Sequence, residues 1–196
     1  MAMEQVPGRF ADSVLTDNIK EIFFSEAQLH EIVARLGKQI STDFEGKNLL
    51  MISVLKGAVV FMADLMRHIT IPCKIDFISS SIYKNKTMAQ PRPDIRDILQ
   101  YDDISMFDIL VVEDILDTGR TLQGLSEYLM DKGAKSVTIC TLLDKPERRD
   151  PSTTIVPAYI GAKVKNEFVV GYGLDFDEKY RNLPFIGILK PEVYQD

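Results

Sequence analysis

The sequence predicts an α/β fold in which a parallel, twisted sheet carries helices on both faces. Apolar runs of strand length alternate with amphipathic helical runs through the middle of the chain, a pattern typical of parallel sheets. Three of the predicted strands lead into unusual polar residues: Lys56-Gly57, the segment 113–121, and Asp144-Lys145. Ligands bind at the carboxyl ends of the strands in such sheets, so we expect these three segments to lie together in one site.

Composition indicates one globular domain. The chain has 196 residues, 45% of them hydrophobic and 27% charged, with a formal net charge of -6. This size suits a single domain, and a negative balance disfavours broad nucleic-acid binding. The N-terminal residues contain no apolar signal segment, and Lys56 and Asp64 interrupt the most apolar region. Cys73 and Cys140 lack metal-ligand spacing, so we expect reduced thiols in a cytoplasmic protein with no membrane or nucleic-acid partner.

The first half of the chain supplies two predicted helices and two predicted strands. Ser25 and Gln28 match a capping box, and the helix that follows has apolar residues on one face. They are Leu29, Ile32, Val33, Leu36 and Ile40. Strands are predicted at 49–55 and 74–80, with a helix after Gly57 whose apolar positions include Val59, Met62, Leu65 and Met66. The polar, proline-bearing segment 81–94 indicates a functional loop or disorder.

The second half continues the alternation. A strand is predicted at Ile109–Val112, followed by a helix that begins near Gly119. Leucines line that helix at 122, 125 and 129, and Gly133 stands where a helix commonly ends. Further strands are predicted at 136–144, 158–162, 168–173 and 185–189.

The run Asp117-Thr118-Gly119-Arg120-Thr121 is a candidate phosphate site. It leads from a strand into a helix, so its backbone N–H groups and hydroxyls would converge at the positive end of that helix. Gly119 permits close approach of the backbone to a ligand. A Walker A loop of the form G-x-x-x-x-G-K-[ST] is absent from the sequence, which disfavours a nucleoside triphosphatase.

Glu113 and Asp114 lie just before this turn. Carboxylates accept hydrogen bonds from sugar hydroxyls and hold hydrated Mg²⁺ through one or two oxygens. Each feature alone has an ordinary explanation, because acids commonly solvate strand ends and Asp or Thr commonly caps helices. Together they suit a ribose 5-phosphate, with the sugar over the acids and the phosphate over the turn.

Four separated segments carry a resemblance to a known family: VLKGAVVFMADL, VVEDILDTGRTL, LLDKP and FVVGYGLDFDEKYRNLPFIG. They resemble segments of type I phosphoribosyltransferases, and more narrowly of those that act on hypoxanthine and guanine. The resemblance extends from about Ile22 to Pro191. It implies Mg²⁺-dependent purine salvage, in which the phosphoribosyl group of 5-phosphoribosyl 1-pyrophosphate (PRPP) passes to a 6-oxopurine. The products would be IMP or GMP and pyrophosphate. It also implies one domain over 1–196, with a core at about 45–165, a small hood from 1–44 and 166–196, and a homodimer or homotetramer.

The resemblance implies particular residues for PRPP. They are Lys56, Gly57, Glu113, Asp114, Thr118, Gly119, Arg120, Thr121 and Arg181. Glu113, Asp114 and Asp175 would be the Mg²⁺ ligands, and a cis peptide bond would join Leu55 to Lys56. Asp117 would act at N7 of the purine, as general base in synthesis and as general acid in the reverse direction.

The base and the lid have their own implied residues. Lys145 would donate to O6; because a lysine has no acceptor capacity, it favours a carbonyl and disfavours adenine. Phe168 would stack on the purine and the Val169 backbone would bond its Watson–Crick edge. The 81–94 loop would close over the reacting atoms to exclude water. The family usually has adjacent Ser-Tyr there, whereas this chain has Ser81-Ile82-Tyr83, so either Ser81 or Tyr83 could reach the pyrophosphate.

Three other hypotheses fit parts of the sequence. The run ILDTGR resembles an aspartic protease motif, but those enzymes are all-β and pair two aspartates. A regulator could keep the fold and use it for sensing, although it would need a helix-turn-helix extension or a basic patch. A phosphoacceptor receiver domain would carry its acid pair on the first strand, whereas this pair lies beyond residue 110.

Overall fold

The computed structural model describes residues 8–10, 13–82 and 93–195. The described strands are β1 Ile19–Phe24, β2 Leu49–Leu55, β3 Cys73–Ile82, β4 Pro93–Asp97, β5 Asp108–Leu116, β6 Ser136–Asp144, β7 Tyr159–Lys163, β8 Val169–Val170 and β9 Ile186–Leu189. The described α-helices are α1 Glu26–Asp43, α2 Val59–Arg67 and α3 Arg120–Asp131. Short 3₁₀ helices cover Gly8–Phe10, Pro146–Arg148 and Pro191–Val193.

The main sheet confirms the predicted α/β fold. Its strand order is β4-β3-β2-β5-β6-β7, and every pairing is parallel except the one between β3 and β4. Helices α1 and α2 pack on one face and α3 packs on the other. Consecutive side chains of β2 point to opposite faces of the sheet. Because helices cover both faces, every residue from Leu49 to Val54 is buried. This architecture is incompatible with the all-β fold of an aspartic protease.

The helices form where capping and periodicity predict them. Ser25 accepts from the backbone N–H of Gln28, and the Gln28 side chain accepts from the backbone N–H of Ser25, which completes the capping box. The predicted α1 and α3 positions are buried, except for the partly buried Ile32. On α2, Met62 and Leu65 are buried together with Phe61, whereas Val59 and Met66 are exposed.

Two strand predictions need correction. β5 does not stop at Val112 but continues to Leu116, because its pairing with β6 is maintained as far as Leu116 opposite Asp144. Glu113 and Asp114 therefore lie inside a strand. The predicted strand 168–173 shortens to β8, because Gly171, Tyr172 and Gly173 all have positive φ and form a turn.

The predicted loop 81–94 is only partly described. β3 continues through Ile82, and β4 begins at Pro93 and pairs antiparallel with β3. Residues 83–92, including Tyr83, lie outside the described part of the chain. Within that described part, no helix combines the length and apolar character needed to cross a membrane.

A second, three-stranded antiparallel sheet joins both ends of the chain in the order β1-β9-β8. Some of its buried side chains, among them Val170 and Leu189, pack with Phe185 in a separate apolar cluster. The division into a core and a hood at residues 44 and 166 stays a prediction. Cys73 and Cys140 are free thiols, as expected, and burial raises the pKa of both.

Three segments meet around two glycines without room for side chains. A Cβ at Gly57 would overlap a carboxylate oxygen of Asp114. A Cβ at Gly173 would overlap the carbonyl oxygen of Gly57, and Gly173 has φ +101°. The end of β2, the acids of β5 and the segment after β8 therefore touch directly.

We expect Gly173→Ala to destabilise the protein more than Gly133→Ala. Gly133 also has a positive φ, +96°, but a Cβ there meets nothing within 4 Å. Gly133→Ala should therefore lose only the left-handed conformational term, about 1–2 kcal/mol, whereas Gly173→Ala adds an overlap with backbone. Urea unfolding of both variants measures the difference. Equal losses would show that the packing at Gly57 tolerates a methyl group.

Candidate active site

The carboxyl ends of three strands form the candidate active site. Leu116 on β5 pairs with Asp144 on β6, and β2 runs parallel to β5 on its other side. A cavity of about 330 Å³ opens at this edge, lined by Val54, Leu55, Gly57, Leu122 and the segment 113–119 together with Thr121. A larger cavity of about 530 Å³ between α1, α2 and residues 181–184 shares only Arg181 with the predicted site.

The acid pair lies at the centre of this edge. Asp114 is buried and Glu113 half-buried, and the Asp114 Oδ1 atom accepts from the Ile115 N–H at 2.7 Å. Burial, and then the adjacent Asp114 charge, raise the pKa of Glu113 well above its ordinary value. Burial also raises the pKa of Asp114, although Glu113, the Ile115 N–H and the charge of Arg181 oppose the change. The ligand-free pair thus retains protons more readily than exposed acids do.

The turn after β5 has the geometry of an anion site. Gly119 is the N-cap of α3, has φ +85°, and provides no side-chain hydrogen bond to the helix. The first N–H groups of an α-helix have no intrahelical acceptor, and Thr118, Gly119 and Thr121 line the cavity at this point. The Thr118 carbonyl accepts from the Asp150 N–H at 3.0 Å. The side chain of Arg120 pairs with Asp150.

Two arginines that the sequence analysis did not select hold Asp117. Arg148 Nε donates to Asp117 Oδ1 at 3.0 Å, and Arg149 Nη1 donates to the Asp117 carbonyl at 2.9 Å. Arg149 also pairs with Asp144. The sequence offered one signal that could have identified them: both are charged, and both follow Lys145 closely at the end of β6. The sequence analysis assigned no role to either arginine.

The residues implied for the purine lie beside one another. Lys145 Nζ donates to the carbonyl oxygen of Glu167 at 2.7 Å, next to Phe168. Burial lowers the pKa of Lys145. The Phe168 ring stacks on Tyr194, with centroids 4.7 Å apart and planes at 24°. Val169 pairs with Ile188 across β8 and β9.

The cations implied for pyrophosphate meet on the other side of the acids. Lys56 follows a cis peptide bond from Leu55, and its Nζ lies 3.0 Å from Glu178 Oε2. Arg181 pairs with Asp175 Oδ1 at 2.9 Å and with Glu178 Oε1 at 3.3 Å. Glu178 thus joins the two cations, and the sequence analysis did not identify it.

The remaining predicted positions receive less support. Ser81 lies in β3, but its side chain is outside the described set, as is all of Tyr83. Among the residues that the structure describes, no three His, Cys, Asp or Glu residues are grouped to hold a metal ion. Mg²⁺ usually takes only one or two protein carboxylates and completes its shell with water and substrate phosphates. Glu113 and Asp114 fit that donor set. Each oxygen of Asp175 already has one partner but keeps further acceptor capacity.

Comparison with known proteins identifies the family of the chain. Residues 25–177 match the phosphoribosyl transferase domain model. Hypoxanthine-guanine phosphoribosyltransferase of Staphylococcus aureus (strain N315) is 43% identical over 92% of this chain and 99% of the relative. The bifunctional protein TilS/HprT of Listeria monocytogenes (strain F2365) is 44% identical, and the chain spans 27% of its length.

Solved structures agree with the sequence relatives. A crystal structure of hypoxanthine phosphoribosyltransferase from S. aureus has a TM-score of 0.87 and 42% identity, covering 94% of this chain and 99% of that one. The Trypanosoma cruzi hypoxanthine phosphoribosyl transferase has a TM-score of 0.81 at 33% identity, covering 91% and 95%. The chain therefore belongs to the phosphoribosyl transferase domain family, and within it to the hypoxanthine-guanine phosphoribosyltransferases.

Proposed function

We propose that the chain transfers the phosphoribosyl group of PRPP to hypoxanthine, guanine or both, giving IMP or GMP and pyrophosphate. The observation that carries this proposal is the single carboxyl edge at which an acid pair and a helix N-terminus line one cavity. Groups suited to a base and to a diphosphate lie on either side of that edge. Family membership supports the reaction type, and the relatives' names support the purine.

The cavity suits the ribose 5-phosphate. The N–H groups at Thr118, Gly119 and Thr121 offer donors and a positive helix end to the 5-phosphate. Glu113 and Asp114 offer acceptors for the two ribose hydroxyls. Among the described residues, neither carboxyl has a cation within hydrogen-bonding distance. Burial of carboxylates without such a partner costs free energy, which a ligand that bonds to them would offset.

The purine would bind between Lys145 and Phe168. The Lys145 ammonium can donate to a 6-oxo group but cannot accept from a 6-amino group. Phe168 has one ring face against Tyr194, which supports the ring in a fixed orientation for stacking. The Val169 backbone would contact the Watson–Crick edge, as the resemblance implies.

Asp117 would act as general acid and base at N7. It follows β5 directly, and a carboxylate within hydrogen-bonding reach of N7 can take its proton as the glycosidic bond forms. Arg148 engages Asp117 Oδ1 in the free chain, but each carboxylate oxygen has further acceptor capacity. Asp117 is half-buried, so it stays accessible to a bound base.

The leaving pyrophosphate would bind Lys56, the Gly57 turn and Arg181. Mg²⁺ held near Glu113, Asp114 and Asp175 would neutralise charge on the departing oxygens. Lys56 and Arg181 place fixed positive charge on the same side, whereas the carboxylates lie near the sugar, where positive charge develops.

The lid, location and assembly also remain proposals. Ser81 or Tyr83 would close over the reacting centre. The two free cysteines support a cytoplasmic location, because thiols stay reduced there. A homodimer or homotetramer rests on the family resemblance alone.

A steady-state assay with PRPP, Mg²⁺ and four purines tests the function. We expect turnover with hypoxanthine, guanine or both, and none with adenine; xanthine completes the set. Lys145→Ala should narrow the preference for hypoxanthine over adenine by roughly tenfold or more, because it removes the O6 donor. Lys163→Ala, an exposed lysine at the end of β7, is the control and should leave selectivity unchanged. No nucleotide from any purine, together with tight RNA binding, would favour a regulator.

Asp117→Asn should lower kcat by about 10²- to 10⁴-fold, the usual contribution of a general acid or base. The amide keeps the shape of the side chain but cannot take the proton. Asp131→Asn, at the exposed end of α3, controls for loss of one negative charge. A kcat for Asp117→Asn within threefold of the unmodified enzyme would rule out the assigned proton transfer.

Glu113→Gln should change how stability depends on pH. The folded state holds the Glu113 proton more tightly than the unfolded state, since burial raises its pKa. Stability is therefore lost as pH rises through the folded pKa. The variant lacks this loss, so its free energy of unfolding should exceed that of the unmodified chain increasingly towards high pH. Urea titrations from pH 5 to pH 8 without ligand measure it, with exposed Glu45→Gln as control; parallel curves would contradict it.

A further inference from the structure

Glu178 joins the two cations proposed for the pyrophosphate. Its Oε2 atom lies 3.0 Å from Lys56 Nζ and its Oε1 atom lies 3.3 Å from Arg181 Nη2. Each carboxylate oxygen thus takes one cation, as two oxygens of a bound diphosphate would. The hydrogen bond from Lys56 holds the pKa of Glu178 below its usual value, so the side chain is anionic at neutral pH.

The backbone presents Glu178 at the tip of a tight turn. Phe176 and Lys179 pair through two backbone hydrogen bonds, which leaves Asp177 and Glu178 as the two turn residues. Their φ values are +53° and +58°. A two-residue hairpin turn with positive φ at both positions strongly favours Asn-Gly. A glutamate there is uncommon, and such conformations cluster at ligand clamps.

The contacts of Glu178 with the two cations are weak enough for a bound ligand to replace them. The Lys56 and Glu178 side chains are 68% and 64% exposed, and ion pairs between exposed groups are weak. Arg181 is held independently, because it donates to the Gly173 carbonyl at 2.8 Å and pairs with Asp175 at 2.9 Å. Loss of the Glu178 charge would therefore leave Arg181 in place.

We propose that Glu178 is an internal counter-ion for the diphosphate subsite, which incoming diphosphate displaces from Lys56 and Arg181. This inference rests on the proposed function. Because the carboxylate competes for both cations, it lowers the affinity of the site for pyrophosphate and favours release of that product. Glu178 is a positioning residue in this scheme, since it acts through the two cations.

Direct binding of magnesium pyrophosphate tests the proposal by calorimetry at low ionic strength. Glu178→Gln keeps the side-chain shape but removes the competing charge, so its dissociation constant for magnesium pyrophosphate should fall about three- to tenfold, as expected for the loss of two ion pairs made by one exposed carboxylate. The difference should shrink in 0.5 M salt, where exposed charges are screened. In steady state, the KM for PRPP should fall and the KM for hypoxanthine should stay unchanged.

Asp177→Asn is the matched control. It removes the same charge from the neighbouring turn position, where the carboxylate pairs with Lys179, and it should bind pyrophosphate within twofold of the unmodified enzyme. Equal affinities for the two variants, or weaker binding by Glu178→Gln, would overturn the counter-ion while leaving the proposed function intact. If the unmodified enzyme bound no pyrophosphate, the subsite and the counter-ion would both be wrong.

Discussion

The absence of a side chain at Gly57 is the constraint on which the rest of the site depends. Asp114 occupies the space of the missing Cβ, and Gly173 packs against the Gly57 carbonyl from another direction. Two consecutive glycine contacts therefore bring β2, β5 and the segment after β8 together. Interiors packed this closely transmit small displacements instead of absorbing them. The positions of Lys56, the acid pair and Arg181 are thus set by one junction.

Charged groups in the free site nearly all have an internal partner. Asp117 has Arg148, Lys145 has the Glu167 carbonyl, and Lys56 has Glu178. Buried or half-buried charges without partners are costly, so a chain that must fold before it meets its ligands benefits from such contacts. Ligand binding is then an exchange of partners. Glu113 and Asp114 are the exception, since within the described part of the chain their short contacts are to backbone and to each other.

Local patterns predicted the elements well but not their long-range contacts. The apolar run 49–55 and the run 136–144 match β2 and β6, and the capping box of α1 forms as expected. The alternation of strands and helices also predicted correctly that Gly57 and Glu113 lie at the same edge of the parallel sheet. Periodicity reports which face of an element is buried. It carries no information about charge pairs such as Lys56 with Glu178, which are 122 residues apart.

The errors had similar causes. β5 extends past its acids because β6 continues to pair with it, a property of the neighbouring strand. The segment 168–173 looked like one strand, yet Tyr172 adopts a positive φ that composition does not predict for a tyrosine. In both cases tertiary context overrode a local preference.

The small sheet has a consequence for synthesis on the ribosome. β1 precedes every strand of the main sheet in the sequence, but its partner β9 follows all of them. The parallel core can assemble while translation continues, because its strands follow one another in sequence. Phe168 and Val169, by contrast, rest on a sheet that cannot close until β9 has been synthesised. A nascent chain would thus form the turn proposed to bind phosphate before the sheet proposed to hold the base, and a chain stalled before β9 would not complete that sheet.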